Sequence, residues 1–384
     1  MMDNFSFSNP VKILFGKGMI SKINEEIPQN SKVLVTYGGG SIKKNGVYDQ
    51  VKEALKGFEW YEFGGIEANP HFETCMEAVK IVKEKGITFL LSVGGGSVLD
   101  GTKLISVASF VDYDPWKIMV EHKEVKKALP IGAIITLPAT GSEMNGNSVI
   151  TKAATKEKRD FFSLLVYPKF SVLDPETTFS MPARQIGNGV IDTFVHVMEQ
   201  YLTYPVGAKI PDYFAESIIR ILVEDGPQAL KEPRNYDVRA NLMWAATWAL
   251  NGWISKGVPE DWASHMIGHE ITALYGLDHG QTLAIVLPGV MEIMRKEKGD
   301  KIMQLGSNVF NINEGSNEEK ITKTIEAVDQ FFRSMGAGTR FADYNLAPSA
   351  IDPIVKRFEE RDWMLGEHQN ITAPVIRKIL SNRL

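Results

Sequence analysis

The sequence predicts an α/β domain built on a parallel sheet over residues 1–181, followed by an all-helical domain over residues 182–384. Three observations carry this. Short apolar runs alternate with helical stretches in the first half, strand-like alternation stops at Met181-Pro182, and two of the apolar runs end in glycine triplets. A chain of 384 residues also exceeds the usual size of one compact core, so two domains are expected on length alone.

Taken in order, residues 32–37, 60–63, 88–93, 131–137 and 170–173 read as buried or half-buried strands. Between the first three lie helical patterns at 49–56 and 71–85, which makes βαβ units and hence parallel strands. Beyond Pro182 the helical period takes over at 184–201, 212–223, 237–251, 262–275 and 322–334. The cleft between two such domains is where a site is expected.

Composition narrows the function classes. A content of 44% hydrophobic and 23% charged residues is that of a soluble globular protein. Net charge is -5 with Lys and Arg dispersed along the chain, which argues against nucleic acid as a partner. Cys75 is the single cysteine and cannot form an internal disulfide, so the cytoplasm is the expected location. The start of the chain carries Asp3 and lacks the apolar core of a secretory signal. No apolar run approaches the roughly 20 residues of a membrane helix, so no membrane span is expected.

Two strand ends carry the first chemical signal. The first runs into Gly38-Gly39-Gly40-Ser41, and the second into Gly94-Gly95-Gly96-Ser97-Val98-Leu99-Asp100. Glycines between a strand and a helix let backbone N–H groups approach a phosphate, where the helix dipole also favours negative charge. Neither is a full G-x-G-x-x-G, because Lys43 and Leu99 occupy the third glycine position, and each loop alone reads equally as a turn or cap. Two such loops at equivalent strand ends of one sheet point to a nucleotide at its carboxyl edge. A third strand exit, Thr136 to Glu143, adds hydroxyls and a glycine, features that otherwise serve capping.

The second signal lies in the helical half. Asp192 and His196 stand four apart in one predicted helix, and His265 and His269 repeat that spacing in another. His279 follows a break at Gly276-Leu277-Asp278. A carboxylate with several imidazoles suits Zn(II) or Fe(II). A lone helical histidine is more often a packed or surface residue; two such pairs plus a fifth candidate shift the balance toward a metal, without saying which four bind it. The order is not the H-E-x-x-H of zinc proteases, since Glu270 follows the second histidine.

With these pieces in hand, the chain resembles the iron-containing, or group III, alcohol dehydrogenase family along essentially its whole length. The resemblance rests on Leu14-Phe15-Gly16-Lys17-Gly18, on 94–100 and 136–143, on Asp192-x-x-x-His196, and on His265-x-x-x-His269 with His279-Gly280. Within the family it looks most like butanol dehydrogenases and broad-range NADPH-dependent aldehyde reductases, through 37–44, 240–246 and 283–288. The resemblance implies a dehydroquinate synthase-like fold, a metal held by Asp192, His196, His265 and His279, and His269 beside the nicotinamide. It also implies that Gly95, Gly96, Ser97 and Asp100 hold the pyrophosphate region, that Thr136, Thr140, Asn147 and Lys158 line the rest of the cofactor groove, and that Asn69 contacts the cofactor, while Gly38, Gly39 and Ser41 are read as the turn that meets the adenosine end. The enzyme it implies interconverts short- to medium-chain aldehydes and primary alcohols, as a homodimer with one iron or zinc.

One departure bears on the cofactor. Where NAD-preferring members carry an aspartate that accepts from the adenosine ribose, this chain has Gly38, with Ser41, Lys43 and Lys44 nearby. Loss of that carboxylate removes repulsion against a 2'-phosphate, so NADP is expected, with NAD possible. Carbonyl reduction gains from a Lewis-acidic cation at the oxygen, and His269, with an ordinary pKa near 6.5, suits proton delivery as a water chain also would. Trp248, Trp253 and Trp262 read as core, with an apolar substrate wall as the functional alternative. The rival activity is a metal- and NAD-dependent lyase of the dehydroquinate synthase type, which needs a basic cluster that the metal motifs lack.

Overall fold

The computed structural model describes all 384 residues, which pack as two units. One unit comprises Ser8–Met181 with Arg234–Thr247; the other comprises Pro182–Pro233 and Trp248–Leu384 with Met1–Phe7.

The first unit runs β1 (Lys12–Phe15), α1 (Ile23–Glu26), β2 (Lys32–Tyr37), α2 (Val47–Ala54), β3 (Glu59–Phe63), α3 (Phe72–Lys85), β4 (Phe89–Gly95), α4 (Gly96–Ala108), α5 (Lys117–Val120), β5 (Ile131–Leu137), β6 (Asn147–Lys152), β7 (Glu157–Phe162) and β8 (Phe170–Leu173). Six strands form one sheet in the order β1-β8-β5-β4-β2-β3, and every neighbouring pair is parallel. Alternate residues face opposite sides, as the pleat requires. Val33, Val35, Leu91, Val93 and Ile134 pack with Val47 and Val51 of α2. Leu34, Leu90, Ala133 and Ile135 pack instead with Ala78 of α3 and Leu104 and Ile105 of α4.

That division has a consequence for ligands. From β2 the chain moves out to β3, whereas from β4 it moves to β5 on the other side. Adjacent strands whose connections diverge onto opposite faces open a crevice at their carboxyl ends, the place where open α/β sheets bind ligands. Both glycine triplets lie there, at the ends of β2 and β4.

Three strands were not anticipated. β1 is four residues long at a sheet edge and only half-buried, too short to display a period. β6 and β7 form a separate antiparallel pair, and the charges in Glu157-Lys158-Arg159-Asp160 mask its alternation.

The second unit is built from α6 (Ala183–Tyr201), α7 (Lys209–Lys231), the end of α8 (Tyr236–Ala249), α9 (Ala263–Tyr275), α10 (His279–Ile293), α11 (Arg295–Phe310), α12 (Asn317–Ser334), α13 (Ile351–Arg361) and α14 (Ala373–Ser381). Ile267, Ile271, Ile285, Val286, Ile354, Phe358 and Ile376 form a core linking α9, α10, α13 and α14. Helix α7 continues well past the expected 223 because Gly226 and Pro227 are absorbed within it. Helix α10 escaped the sequence reading because it is apolar on nearly all sides and contains Pro288, which leaves no polar face to register a period. No helix is long and apolar enough to cross a membrane.

Two stretches pack across the division expected at 181/182. Most of α8 joins the α/β unit, where Arg239 donates to the Thr178 hydroxyl at 2.8 Å and the Thr247 hydroxyl to Glu143 at 2.6 Å. Met1–Phe7 join the helical unit, where Asp3 N–H donates to Gly257 at 3.1 Å and Phe7 packs edge-on against Trp253.

Candidate functional site

Within the helical unit, three helices direct one carboxylate and three imidazoles at a common point. Asp192 and His196 occupy successive turns of α6 and are buried. His265 projects from α9, which ends at Gly276 in the left-handed conformation (φ 72°). Helix α10 begins at His279, where Gln281 Oε1 reaches back to accept from the Asp278 backbone N–H at 3.1 Å. Gly280 permits the approach: a Cβ at that position would lie 2.6 Å from the Asn188 carbonyl oxygen, so only glycine lets the start of α10 rest on α6 one turn before Asp192.

Asp192 Oδ1 lies 3.6 Å from His196 Nε2, 3.7 Å from His265 Nε2 and 3.5 Å from His279 Nε2. Ligand atoms of Asp192, His265 and His279 all fall within 4.8 Å of one another, while the His196 ring stacks on that of His265 with centroids 4.6 Å apart. Four ligands at about 2.0–2.1 Å from a tetrahedral Zn(II) or similar ion are separated from each other by about 3.3 Å. The three distances from Asp192 Oδ1 are close to that, although His196 lies outside the group whose ligand atoms all fall within 4.8 Å of one another. Asp192 Oδ1 and His265 Nε2 are moreover buried with no hydrogen-bond partner, an arrangement that a cation between them would satisfy. The residues fit a divalent metal.

Burial alone would raise the Asp192 pKa, but the imidazoles of His196, His279 and His265 outweigh it and hold the carboxyl well below its usual range. For His265, burial pulls the pKa down while the adjacent carboxylates of Asp192 and Glu199, the latter hydrogen-bonded to its ring, raise it on balance. His269 is buried on the next turn of α9, its ring centroid 5.2 Å from that of His279 and 6.3 Å from that of His265. Trp262 packs edge-on against His265 and His196, with centroids at 5.3 and 6.3 Å. Trp248 and Trp253 are half-buried and pack elsewhere, on Phe214 and Phe7, outside the buried core expected of them.

In the α/β unit, β4 runs on through Gly95 and α4 begins at Gly96. The glycines serve close packing: a Cβ on Gly95 would sit 3.0 Å from Leu137 Cβ, and one on Gly96 2.8 Å from Thr140 Cβ, so Thr140 lies over the first turn of α4. Gly38 approaches the same turn, its Cβ position 3.5 Å from Val98 Cγ2 and 3.1 Å from the Ile66 carbonyl oxygen. Gly39 and Ser41 are exposed, and Thr136 and Asn147 are half-buried. Asn69 holds a left-handed φ of 62°, its N–H donates to Ser97 Oγ at 3.3 Å, and its Oδ1 accepts from Lys158 Nζ at 2.9 Å. Ser97, Asn69 and Lys158 are thus one linked group.

Asp100 is placed differently from the others. Its Oδ1 accepts from Ser142 Oγ at 2.7 Å and its Oδ2 from Val149 N–H at 3.0 Å, so the carboxylate braces the 142–149 segment from inside. Beside it sits Lys103, which the sequence reading passed over. Its ammonium is fully buried and donates among Ser142 O and Oγ (2.8 Å each), Asn145 O (2.9 Å), Asn145 Oδ1 (3.1 Å) and Asn147 O (2.7 Å). Burial pulls Lys103 down to about 8, against the pull of Asp100 and Glu143. A lysine embedded in the apolar face of Gly101-Thr102-Lys103-Leu104-Ile105 was the available signal. Glu199 was also missed; it lies one turn past His196 on α6 and accepts from His265.

Comparison with known proteins gives the family and the fold. The family model for iron-containing alcohol dehydrogenases matches residues 10–175, and the C-terminal model of the Fe-containing alcohol dehydrogenase family matches residues 187–384. The NADPH-dependent aldehyde reductase YqhD of Escherichia coli is 55% identical over 382 residues, covering 98% of this chain and 99% of that one. A probable NADH-dependent butanol dehydrogenase of Bacillus subtilis is 41% identical over 388 residues, covering both chains fully. Among solved structures, that of E. coli YqhD superposes with a TM-score of 0.98 at 54% identity, covering 100% of this chain and 99% of that one. An NADH-dependent butanol dehydrogenase A from Thermotoga maritima gives a TM-score of 0.95 at 38% identity, again covering 100% and 99%.

Proposed function

Because the chain belongs to the iron-containing alcohol dehydrogenase family, we propose that it is a metal-dependent alcohol dehydrogenase that reduces short- to medium-chain aldehydes to primary alcohols with NADPH. The observation that carries the reading is the convergence of Asp192 Oδ1 with three imidazole Nε2 atoms at 3.5–3.7 Å. The similarity to reductases and dehydrogenases sets the lyase alternative aside.

When bound, a divalent cation, iron or zinc, supplies Lewis-acid stabilisation of the charge that develops on the carbonyl oxygen, and the reduced nicotinamide supplies the hydride. Asp192, His196, His265 and His279 would hold that cation, the carboxylate offsetting part of its charge. Trp262 covers the outer sides of His196 and His265 and keeps water from them. His269, buried one ring beyond His279, delivers the proton that completes the alcohol. At the sheet edge, the N–H groups at the start of α4, with Gly95, Gly96, Ser97 and Thr140, would face the pyrophosphate. Asn69, Lys158, Thr136 and Asn147 line the same groove, and Asp100 braces it.

NADPH over NADH follows from the carboxylate-free Gly38-Gly39-Gly40-Ser41 turn, with Ser41 exposed to meet a 2'-phosphate. Lys43 is already engaged by Glu62 at 3.2 Å, which leaves Ser41 and Lys44 the more available donors. Assembly as a homodimer is carried by the family resemblance, and sedimentation as a monomer would remove it. The reading is tested by NADPH oxidation with butanal before and after chelation. Activity is expected to vanish with the cation and return on adding Zn(II) or Fe(II); a chelation-insensitive rate would take the metal out of the mechanism.

A further inference from the structure

We propose that Glu199 is a positioning residue that commits His265 to a single tautomer and so sets how tightly the metal site binds its cation, an inference that rests on the metal reading above. One carboxylate oxygen, Glu199 Oε1, lies 2.8 Å from the backbone N of His265 and 2.9 Å from its ring Nδ1. The backbone N–H can only donate, so this oxygen faces His265 as an acceptor. The ring proton therefore sits on Nδ1. At 3.7 Å from Asp192 Oδ1, Nε2 makes no hydrogen bond and presents its lone pair to the ligand group.

Both ends of this contact are held. Glu199 stands on α6, the helix that also carries Asp192 and His196, and its side chain is buried. Its carbonyl accepts from Asp261 N–H at 2.8 Å, and Asp261 Oδ1 accepts from Ala263 N–H at 2.7 Å at the start of α9. Lys298 then ties Asp261 (2.6 Å), the Leu202 carbonyl (2.7 Å) and Glu367 (2.8 Å) into one buried knot. Helix α6 and the first turn of α9 are thereby fixed to each other, and the His265 ring has little freedom to turn.

Without the Glu199 acceptor, the His265 ring can take the other tautomer, with Nε2–H directed at Asp192, and the lone pair is lost to the cation. Outer partners of metal-bound histidines are worth about ten- to a hundredfold in metal affinity. Glu199→Leu removes the acceptor, whereas Glu199→Gln keeps an acceptor oxygen and removes only the charge. Cobalt(II) or zinc(II) is titrated into chelator-stripped protein against a chromophoric chelator, and the visible spectrum of the cobalt form is recorded, with circular dichroism to verify folding and His265→Ala alongside.

The expected result is a loss of affinity of about ten- to a hundredfold in Glu199→Leu with an altered cobalt spectrum, and a smaller loss of roughly threefold or more in Glu199→Gln. If Glu199→Leu fails to fold, Glu199→Gln decides by the same threshold. Wild-type affinity and spectrum in the folded variants, with binding lost in His265→Ala, overturn the role of Glu199 alone. Wild-type binding in His265→Ala overturns the metal reading itself.

Discussion

Gly96→Ala is the sharpest probe of the nucleotide loops. An added Cβ would stand 2.5 Å from Thr140 Cγ2 and 2.8 Å from Thr140 Cβ, whereas carbon atoms rest at about 3.5–4.0 Å. Thr140 and the first turn of α4 must therefore part by about 1 Å, and overpacking of that kind costs about 1–3 kcal/mol. For a unit of this size that corresponds to a fall in Tm of roughly 2–12 °C. The same displacement moves Thr140 away from the N–H groups proposed to meet the pyrophosphate, so NADPH should bind about tenfold more weakly, equivalent to ~1.4 kcal/mol. Thermal unfolding and NADPH fluorescence titration read the two effects separately. Adding Thr140→Gly should restore stability without restoring affinity, because the obstructing side chain leaves together with its hydroxyl. A Gly96→Ala variant with unchanged Tm and unchanged NADPH affinity would refute the argument that this glycine serves the loop contact.

Further expectations follow from the same geometry. His265→Ala and His279→Ala should lose bound cation together with activity, whereas His269→Ala should retain the cation and lose about 10²–10⁴-fold in turnover; a metal-free His269→Ala protein would count against that division of roles. Gly38→Asp should lower the preference for NADPH over NADH by at least about tenfold, since a carboxylate there accepts from a ribose hydroxyl and repels a 2'-phosphate; the ratio of kcat/KM values for the two cofactors is the measurement, and an unchanged ratio rejects the assignment. Lys103 loses its proton near pH 8 when folded but near 10.5 when unfolded. Between those values the unfolded chain binds the extra proton, so this group makes stability rise with pH, by at most about 3 kcal/mol across the window. Urea unfolding at the two ends of the window should show that rise in wild type relative to Lys103→Met, and parallel curves would contradict it.

The legibility of the chain varied with how much a local pattern had to say. Strands β2 and β5 were readable because continuous apolar runs bounded by loops mark buried parallel strands. Helices α6 and α9 were readable because each has a helical period and a clear end, and their i, i+4 spacing already placed Asp192 beside His196 and His265 beside His269. Helix α10 was not, since uniform apolarity carries no phase. The pair β6–β7 was hidden by the charged run 157–160, in which Lys158 takes a buried position alongside the core residues Ile150 and Phe161.

Residue identity and spacing determined that an aspartate and several histidines were available on helices, and that two strands ended in glycines. They did not select among five candidate ligands by themselves. That selection depends on distances between helices far apart in sequence, set by Gly280 resting on Asn188 and by Glu199 gripping His265. The same holds for Asp100 and Lys103, whose work inside the 142–149 segment appears only once α4 is packed beneath it. Short-range periodicity reports which face of an element is buried, while which groups meet across faces is decided by packing of the whole unit.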